Sequence, residues 1–383
     1  MKILHLIHHF NRGGIENWLL SMLREIPRNR CEMDICCKGS EIGSLAKVAN
    51  ELGVVVFHCP LGLAHIRFAQ SLKQVLIKGH YQILHNHVEA YSGFPVWVAH
   101  TLNIPVITSF HNTNFLPQTP LTRLPLLRQL RSLYSGISIR YALYHSELVT
   151  GCSQAVLNHL DPCGKSLGDR ARVLHYGVNL PTRSAPEMRS SFRDSYGWSA
   201  DTPLILHVGR LIEQKNHLGL LSIFQHVLEQ IPTAKLLIVG DGVLRPAIEH
   251  TIAERGLSQA VHLLGLRDDV SFLMNQADVF LFPSLYEGFG LVAIEANAAY
   301  LPVVGSQIPG LTEAVQDEKT ALLHDVNDIE GMANSVIKLL NNKQYANQMG
   351  DAGFRRVKEH YSSKVSAEKL LEIYNEFVPV SNR

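Results

Sequence analysis

The chain has 383 residues, 46% hydrophobic and 18% charged, with a formal net charge of +1. That length supports two domains with cores of their own, and the neutral balance argues against a nucleic-acid binder, which carries a basic excess. No apolar run reaches the roughly 18 residues that a membrane-spanning helix needs.

The opening stretch, Met1-Lys-Ile-Leu-His-Leu-Ile-His-His, has one lysine and an apolar run broken by histidines, and reads as a first strand rather than a signal peptide. Further strand-like runs follow at Glu32–Cys37, Val54–His58, Tyr81–His85, Val106–Phe110, Leu148–Cys152 and Val173–Tyr176, with helical periodicity in most gaps. Residues 179–203 lose the apolar period and carry several prolines and serines, which predicts an interdomain connection holding a short helix. A second series occupies Leu204–Val208, Lys235–Val239, Val261–Leu264, Val279–Phe282, Val303–Gly305 and Ala321–His324.

Near-continuous apolar strands alternating with helices imply parallel sheets covered on both faces. Two series imply two doubly wound, Rossmann-like α/β domains, one over 1–180 and one over 181–361, with ligands bound beyond the carboxyl ends of their strands. The last helix, within 362–383, is expected to pack back onto the first domain.

Six cysteines form no Cys-x-x-Cys pair, so neither a zinc knuckle nor a redox motif is indicated, and reduced thiols in a cytoplasmic protein are expected. No metal-ligand spacing appears, so no metal and no cofactor are expected. The twenty histidines look scattered and are read as ordinary core or surface residues. Gly164-Lys165-Ser166 imitates the end of a phosphate loop but lacks the glycine five residues earlier, and reads as a turn.

Four features carry more. Gly13-Gly14, between the first strand and the first helix, lets backbone N–H groups approach an anion or simply makes a tight turn. Arg210 and Lys215 follow the first strand of the second domain, where two cations suit a diphosphate or form a solvated surface. Phe110-His111-Asn112-Thr113-Asn114 closes a strand with polar groups placed for a polyhydroxylated ligand, or for capping. Pro283-Ser-Leu-Tyr-Glu287-Gly288-Phe289-Gly290 leads from a strand into a helix holding Glu295. Two carboxylates beside helix N–H groups would repel a phosphate and are better suited to accept from sugar hydroxyls.

These features together resemble glycosyltransferase family 4: Gly13-Gly14, His111, Arg210 with Lys215, and Glu287 eight positions before Glu295. The resemblance covers nearly the whole chain, is strongest from about 203 to 340, and lies nearest the capsule and exopolysaccharide branch. It implies the GT-B fold, two Rossmann-like domains facing across a cleft, and a retaining transferase that uses a nucleotide-sugar donor. It also implies roles. Glu287 would hold donor-sugar hydroxyls with Gly288, Phe289, Gly290 and Leu291, and Glu295 the ribose hydroxyls. Arg210 and Lys215 would neutralise the diphosphate, with Gly13-Gly14 closing over it. His111 would sit over the sugar, and Leu266-Arg267 would meet the base. Two departures stand out: Tyr176-Gly-Val-Asn179 stands where the family usually has Asn-Gly-Val-Asp, and Tyr300 stands where glycine is usual.

The expected reaction moves a sugar from a nucleoside-diphosphate donor, uridine being the preferred base, to a hydroxyl of a saccharide or lipid-linked saccharide. Rival readings are a GT-B sugar-nucleotide epimerase and a non-catalytic sugar-nucleotide binder. From Ala90 through Ser146 there is no aspartate or glutamate, while Arg123, Arg128, Arg131 and Arg140 punctuate a leucine-rich helix. That helix, within 121–146, would dock on the inner face of a membrane, meet the acceptor or pack on another subunit.

Overall fold

The computed structural model describes residues 1–62, 65–113, 125–164 and 166–377. Asn114, Arg123, Lys165 and the end of the 362–383 segment lie outside the described residues. The chain divides into two compact units, Met1–Gly177 with Ser363–Arg383, and Val178–Ser362.

In the first unit seven strands form one parallel sheet. They are β1 (Lys2–Ile7), β2 (Glu32–Cys37), β3 (Val56–His58), β4 (Ile83–Asn86), β5 (Val106–Phe110), β6 (Leu148–Gly151) and β7 (Ala171–Val173). Their order is β3-β2-β1-β4-β5-β6-β7. The chain winds outward from β1 in one direction and then from β4 in the other, so the switch point lies between β1 and β4. Leu4, Leu6, Leu84 and Val106 pack one face against Phe68, Leu72 and Val96. β7 ends at Val173 rather than running to Tyr176; the His175 carbonyl instead accepts from Ser366 on the returning helix Ser363–Phe377.

The second unit repeats the plan with six strands. These are β8 (Leu204–Val208), β9 (Lys235–Val239), β10 (Val261–Gly265), β11 (Val279–Phe282), β12 (Val303–Ser306) and β13 (Ala321–His324), in the order β10-β9-β8-β11-β12-β13. Its switch point lies between β8 and β11. Every pairing is parallel, and fully buried Ile205, Leu236, Ile238, Val279 and Leu281 explain the continuous apolar runs.

The connection contains the helix Pro186–Asp194, with proline in its first turn. Arg193 from this helix is 3% exposed and reaches Asp278 at 2.8 Å, and the same carboxylate accepts from the Leu204 amide at 2.8 Å. A buried charge is tolerated here because it is paired and hydrogen-bonded. The connection is therefore part of the amino-terminal edge of the second sheet.

Candidate active site

In doubly wound sheets, ligands bind outside the carboxyl ends of the strands at the switch point. In the second unit that position is flanked by the segments after β8 and β11. Arg210, after β8, is exposed and has no partner among the described residues. Lys215 ends a short 3-10 turn, Glu213–Lys215, and Asn216 then starts the helix His217–Gln230 from a left-handed conformation, capping it through the Gly219 amide.

Lys215, which the sequence groups with Arg210 as a cation suited to a diphosphate, is paired with a carboxylate. Lys215 Nζ donates to Glu287 Oε1 at 2.5 Å, with side chains only 11% and 9% exposed. The 3-10 turn carries Lys215 back over the end of β11, where its ammonium also lies 5.0 Å above the Phe282 ring. Gln214 fixes the same elbow by donating to the Tyr286 carbonyl at 2.9 Å. Glu287 thus has one oxygen engaged by a buried lysine, with only part of its acceptor capacity in use.

The elbow is kept close to its neighbours by glycine. Gly290 has φ +79° and precedes the helix Leu291–Ala298, a backbone that glycine adopts at little cost. A Cβ on Gly310 would come within 2.4 Å of the Glu287 carbonyl, so the short helix Pro309–Ala314 after β12 supports the elbow from behind. Glu295 lies on the helix with no hydrogen-bond partner among the described residues, and burial pushes its carboxyl up to about 7. Three further polar atoms near these strand ends are buried without partners among the described residues: His207 Nε2 on β8, Ser284 Oγ after β11 and Ser306 Oγ on β12. Buried polar groups are normally satisfied, so a cluster left open at a switch point is suited to a polar ligand.

Arg267, in the loop expected to meet the base mostly through backbone atoms, is paired within its own loop. Its guanidinium makes a two-pronged bond to Asp269, at 2.8 and 2.7 Å, which leaves the exposed Leu266 and the loop backbone to meet a ligand.

In the first unit, Gly13 is extended at φ −164° and caps the helix Gly14–Glu25 without a side chain. A Cβ there would meet the flexible Glu16 carboxylate at 2.3 Å. The pair therefore supplies close backbone access rather than an unusual backbone angle. His111, just after β5, has both ring nitrogens engaged: Nε2 lies 3.1 Å from His87 Nδ1, and Nδ1 meets the Tyr176 hydroxyl. Burial lowers its pKa to about 3, so it is a neutral, committed ring and not a free acid or base.

Sequence reasoning missed three groups here. Glu89 sits at φ +44° and accepts from the His111 amide at 2.8 Å; burial raises its carboxyl to about 7. Lys38, after β2, is 4% exposed, lies 4.0 Å over the Tyr91 ring and approaches His8 Nδ1 at 3.2 Å; burial pulls its ammonium down to about 8. The third group is a set of histidines read as scattered. His5 and His85 are opposed across β1 and β4, His87 follows two residues later, and His111 two after Ser109. The period of two puts them on one sheet face, and that alternation was visible in the sequence. His5, His85 and His87 bring ring nitrogens within 4.8 Å of one another, a gathering that their sequence spacing conceals.

Two family models divide the chain between them: "Glycosyltransferase Family 4" matches residues 12–181 and "Glycosyl transferases group 1" matches residues 188–356. The chain belongs to glycosyltransferase family 4. One relative is the N-acetyl-alpha-D-glucosaminyl L-malate synthase of Bacillus anthracis, 26% identical over 81% of this chain and 78% of that protein. Another is the UDP-Gal:alpha-D-GlcNAc-diphosphoundecaprenol alpha-1,3-galactosyltransferase of Escherichia coli, 23% identical over 96% and 94%. Anabaena HepE, solved with UDP-glucose, matches the fold with TM-score 0.81 and 18% identity over 98% of this chain and all of that one. The family-4 transferase thus has the GT-B fold, and transferase activity is the function its relatives share.

Proposed function

We propose that this enzyme transfers a sugar, with retention of anomeric configuration, from a uridine-diphosphate donor to a hydroxyl of a saccharide or lipid-linked saccharide. The observation that carries this reading is the second unit's switch point. There an unpartnered arginine, a Lys215–Glu287 pair with spare acceptor capacity, and an unpartnered Glu295 lie on two adjoining strand ends. Cations suit a diphosphate and carboxylates suit hydroxyls; a sugar nucleotide presents both. The names of relatives point the same way, one to UDP-galactose and a diphosphoundecaprenol acceptor, another to a bound UDP-glucose.

In this mechanism the bond from the anomeric carbon to the diphosphate oxygen breaks as the bond to the acceptor oxygen forms on the same face. Arg210 and Lys215 stabilise the charge growing on the leaving diphosphate, an effect typically worth a few kcal/mol per donor. The acceptor proton passes to a diphosphate oxygen. Glu287 holds the sugar hydroxyls and is kept from nucleophilic duty by Lys215, and Glu295 takes the ribose. No resident metal or cofactor has a step to perform.

The test is a panel of UDP-sugars assayed for transfer, with the product anomer read by NMR and Arg210→Ala as control. Arg210 is exposed, so the variant should fold normally while losing turnover. Near-normal turnover, or an inverted product, would remove this account.

A second observation bears on the acceptor and on place of action. On the helix Pro125–His145, Leu130, Leu133, Ile137 and Tyr144 lie on one side and are 54%, 62%, 61% and 76% exposed. Arg128 and Arg140 are on the same helix, which carries no acid. We place the enzyme at the cytoplasmic face of a membrane, this stripe resting on anionic lipid. Flotation with phosphatidylglycerol vesicles, absent with phosphatidylcholine and weakened by Leu133→Ser with Ile137→Ser, checks it.

A further inference from the structure

The first unit contains a continuous hydrogen-bonded row of side chains. Thr150 Oγ1 meets Ser109 Oγ at 2.5 Å, and Ser109 Oγ meets His85 Nε2 at 2.7 Å. His85 Nδ1 meets the Tyr374 hydroxyl at 2.6 Å, and that hydroxyl meets His5 Nε2 at 3.1 Å. His5 Nδ1 meets His87 Nε2 at 3.1 Å, and His87 Nδ1 meets His111 Nε2 at 3.1 Å. The row ends where His111 Nδ1 meets the Tyr176 hydroxyl, which is also bonded to the Cys152 sulfur.

The three-imidazole section is nearly planar. His5 and His87 are tilted by 10° with centroids 5.3 Å apart, and His87 and His111 by 18° at 5.2 Å. Those separations are close to the largest that rings joined by a 3.1 Å N···N contact can have. The rings therefore lie edge to edge, their lone pairs aimed along the row. That spends the facing His5 and His87 nitrogens on one N–H···N bond, not on a shared metal ion.

Neutral imidazole has one donor and one acceptor nitrogen, so the row runs in one of two directions. If protons point from Tyr176 toward Thr150, the Thr150 hydroxyl ends as a buried donor with no acceptor among the described residues. If they point the other way, every proton is used. Thr150 donates to Ser109, Ser109 to His85, His85 to Tyr374, Tyr374 to His5, His5 to His87, His87 to His111 and His111 to Tyr176. Tyr176 then donates to the Cys152 sulfur, and Cys152 to the His111 carbonyl at 3.4 Å. An unmade buried hydrogen bond is the costlier choice.

We infer that His5, His87 and Tyr374 are positioning residues that lock His111 as its Nδ1–H tautomer, with its proton held on Tyr176. This rests on the proposed reading in one respect only, that His111 stands beside the reacting sugar. The lock delivers a neutral ring in a fixed plane that neither gives nor takes a proton during transfer. It also makes Tyr374, far along the chain on the returning helix, a part of that site's support.

The experiment is long-range ¹H–¹⁵N NMR of the full chain with labelled histidine at pH 7, assigned by single His→Gln variants. His5, His85, His87 and His111 should all show Nδ1–H signatures, although Nε2–H is the commoner form of free histidine. An Nε2–H signature at His111 overturns the inference whatever the enzyme's substrates prove to be. Tyr374→Phe removes the hydroxyl that relays the direction from the Thr150 end to His5; His111 should become a mixture of tautomers and kcat fall about tenfold, with the donor KM within twofold. An unchanged His111 spectrum in folded Tyr374→Phe overturns it equally. If wild-type NMR is as expected but no UDP-sugar supports transfer, the functional reading fails and the lock stands.

Discussion

The two switch points are built from different materials. In the first unit, along β1, β4 and β5 and just beyond β4 and β5, histidines and hydroxyls answer one another in a continuous row, and His9 Nδ1 after β1 is unmatched among the described residues. In the second, after β8 and β11, Arg210 and Glu295 have no side-chain partner among the described residues, and His207, Ser284 and Ser306 bury polar atoms unmatched there. A group satisfied inside the protein holds shape, whereas a group left open at a strand end has its affinity in reserve. On that ground we expect substitutions in the second unit to act on donor chemistry, and substitutions in the first to act on geometry and folding.

The largest effect should come from Lys215→Met. It removes a cation from the leaving group and strands the buried Glu287 carboxylate, so transfer should fall by at least about 10³ and the melting temperature should drop as well. Arg210→Ala should cost about 10²–10³ in kcat with no change in melting temperature. Comparing calorimetry with turnover for the two variants sharpens the contrast within one site. Equal stability in both would mean that the Lys215–Glu287 pair is not buried as described.

Acid should break the first unit and the second together. His5, His111 and His207 are lowered to about 3 and His217 to about 4, all chiefly by burial, while His85 and His87 lie well below the usual value. The unfolded chain binds these protons near pH 6.5 and the folded chain does not. Stability is therefore fully present above pH 6.5 and is lost as pH falls toward 3, by up to about 1.4 kcal/mol per pH unit for each group. Glu89 and Glu295, raised to about 7, act oppositely between pH 7 and 4.5, where the folded form takes up protons first. Six histidines outweigh two carboxyls. Melting temperature should fall between pH 6.5 and 4.5 and more steeply below; a flat profile to pH 4 would refute it.

How far all this could be read beforehand varies with the kind of signal. The inner strands were legible because they are buried on both faces, so Val279–Phe282 and Lys235–Val239 appear as apolar runs whatever their neighbours. The elbow at Glu287 was legible because its glycines and proline are local. The Lys215–Glu287 bond was not, since it joins residues 72 positions apart through a left-handed turn at Asn216. The histidine row was hidden for a related reason: its members come from β1, β4, the end of β5 and the last helix, and only register brings them together. Glu89 and Lys38 are ordinary residues in sequence and unusual only in burial.

Glu295 allows a finer test of the open site. Its carboxyl titrates at about 7 in the free enzyme, and an ionised acceptor binds hydroxyls more strongly than a neutral one. Donor KM should therefore fall as pH rises from 6 to 8, by up to about tenfold. Glu295→Gln, which resembles the protonated form, should flatten that dependence and hold KM at its acid-side value. A KM independent of pH in the wild type would show that Glu295 does not meet the donor.

The smallest effect concerns Tyr300, where the family usually has glycine. Its backbone lies at φ +61°, in the left-handed region, which costs a residue with a Cβ about 1–2 kcal/mol. The ring offsets this by stacking on Phe354 at 4.1 Å and 11°, with the Arg183 guanidinium 4.8 Å above its centre. Tyr300→Ala loses the stack and keeps the strain; Tyr300→Gly loses both. Glycine should therefore be the more stable replacement by about 1 kcal/mol, reversing the usual order of the two residues in an ordered segment. Since the turn joins the helix Leu291–Ala298 to β12, well behind the elbow, neither change should alter donor KM. Chemical denaturation of the two variants side by side checks the order, and alanine proving the more stable would mean the left-handed turn is not kept once the ring is gone.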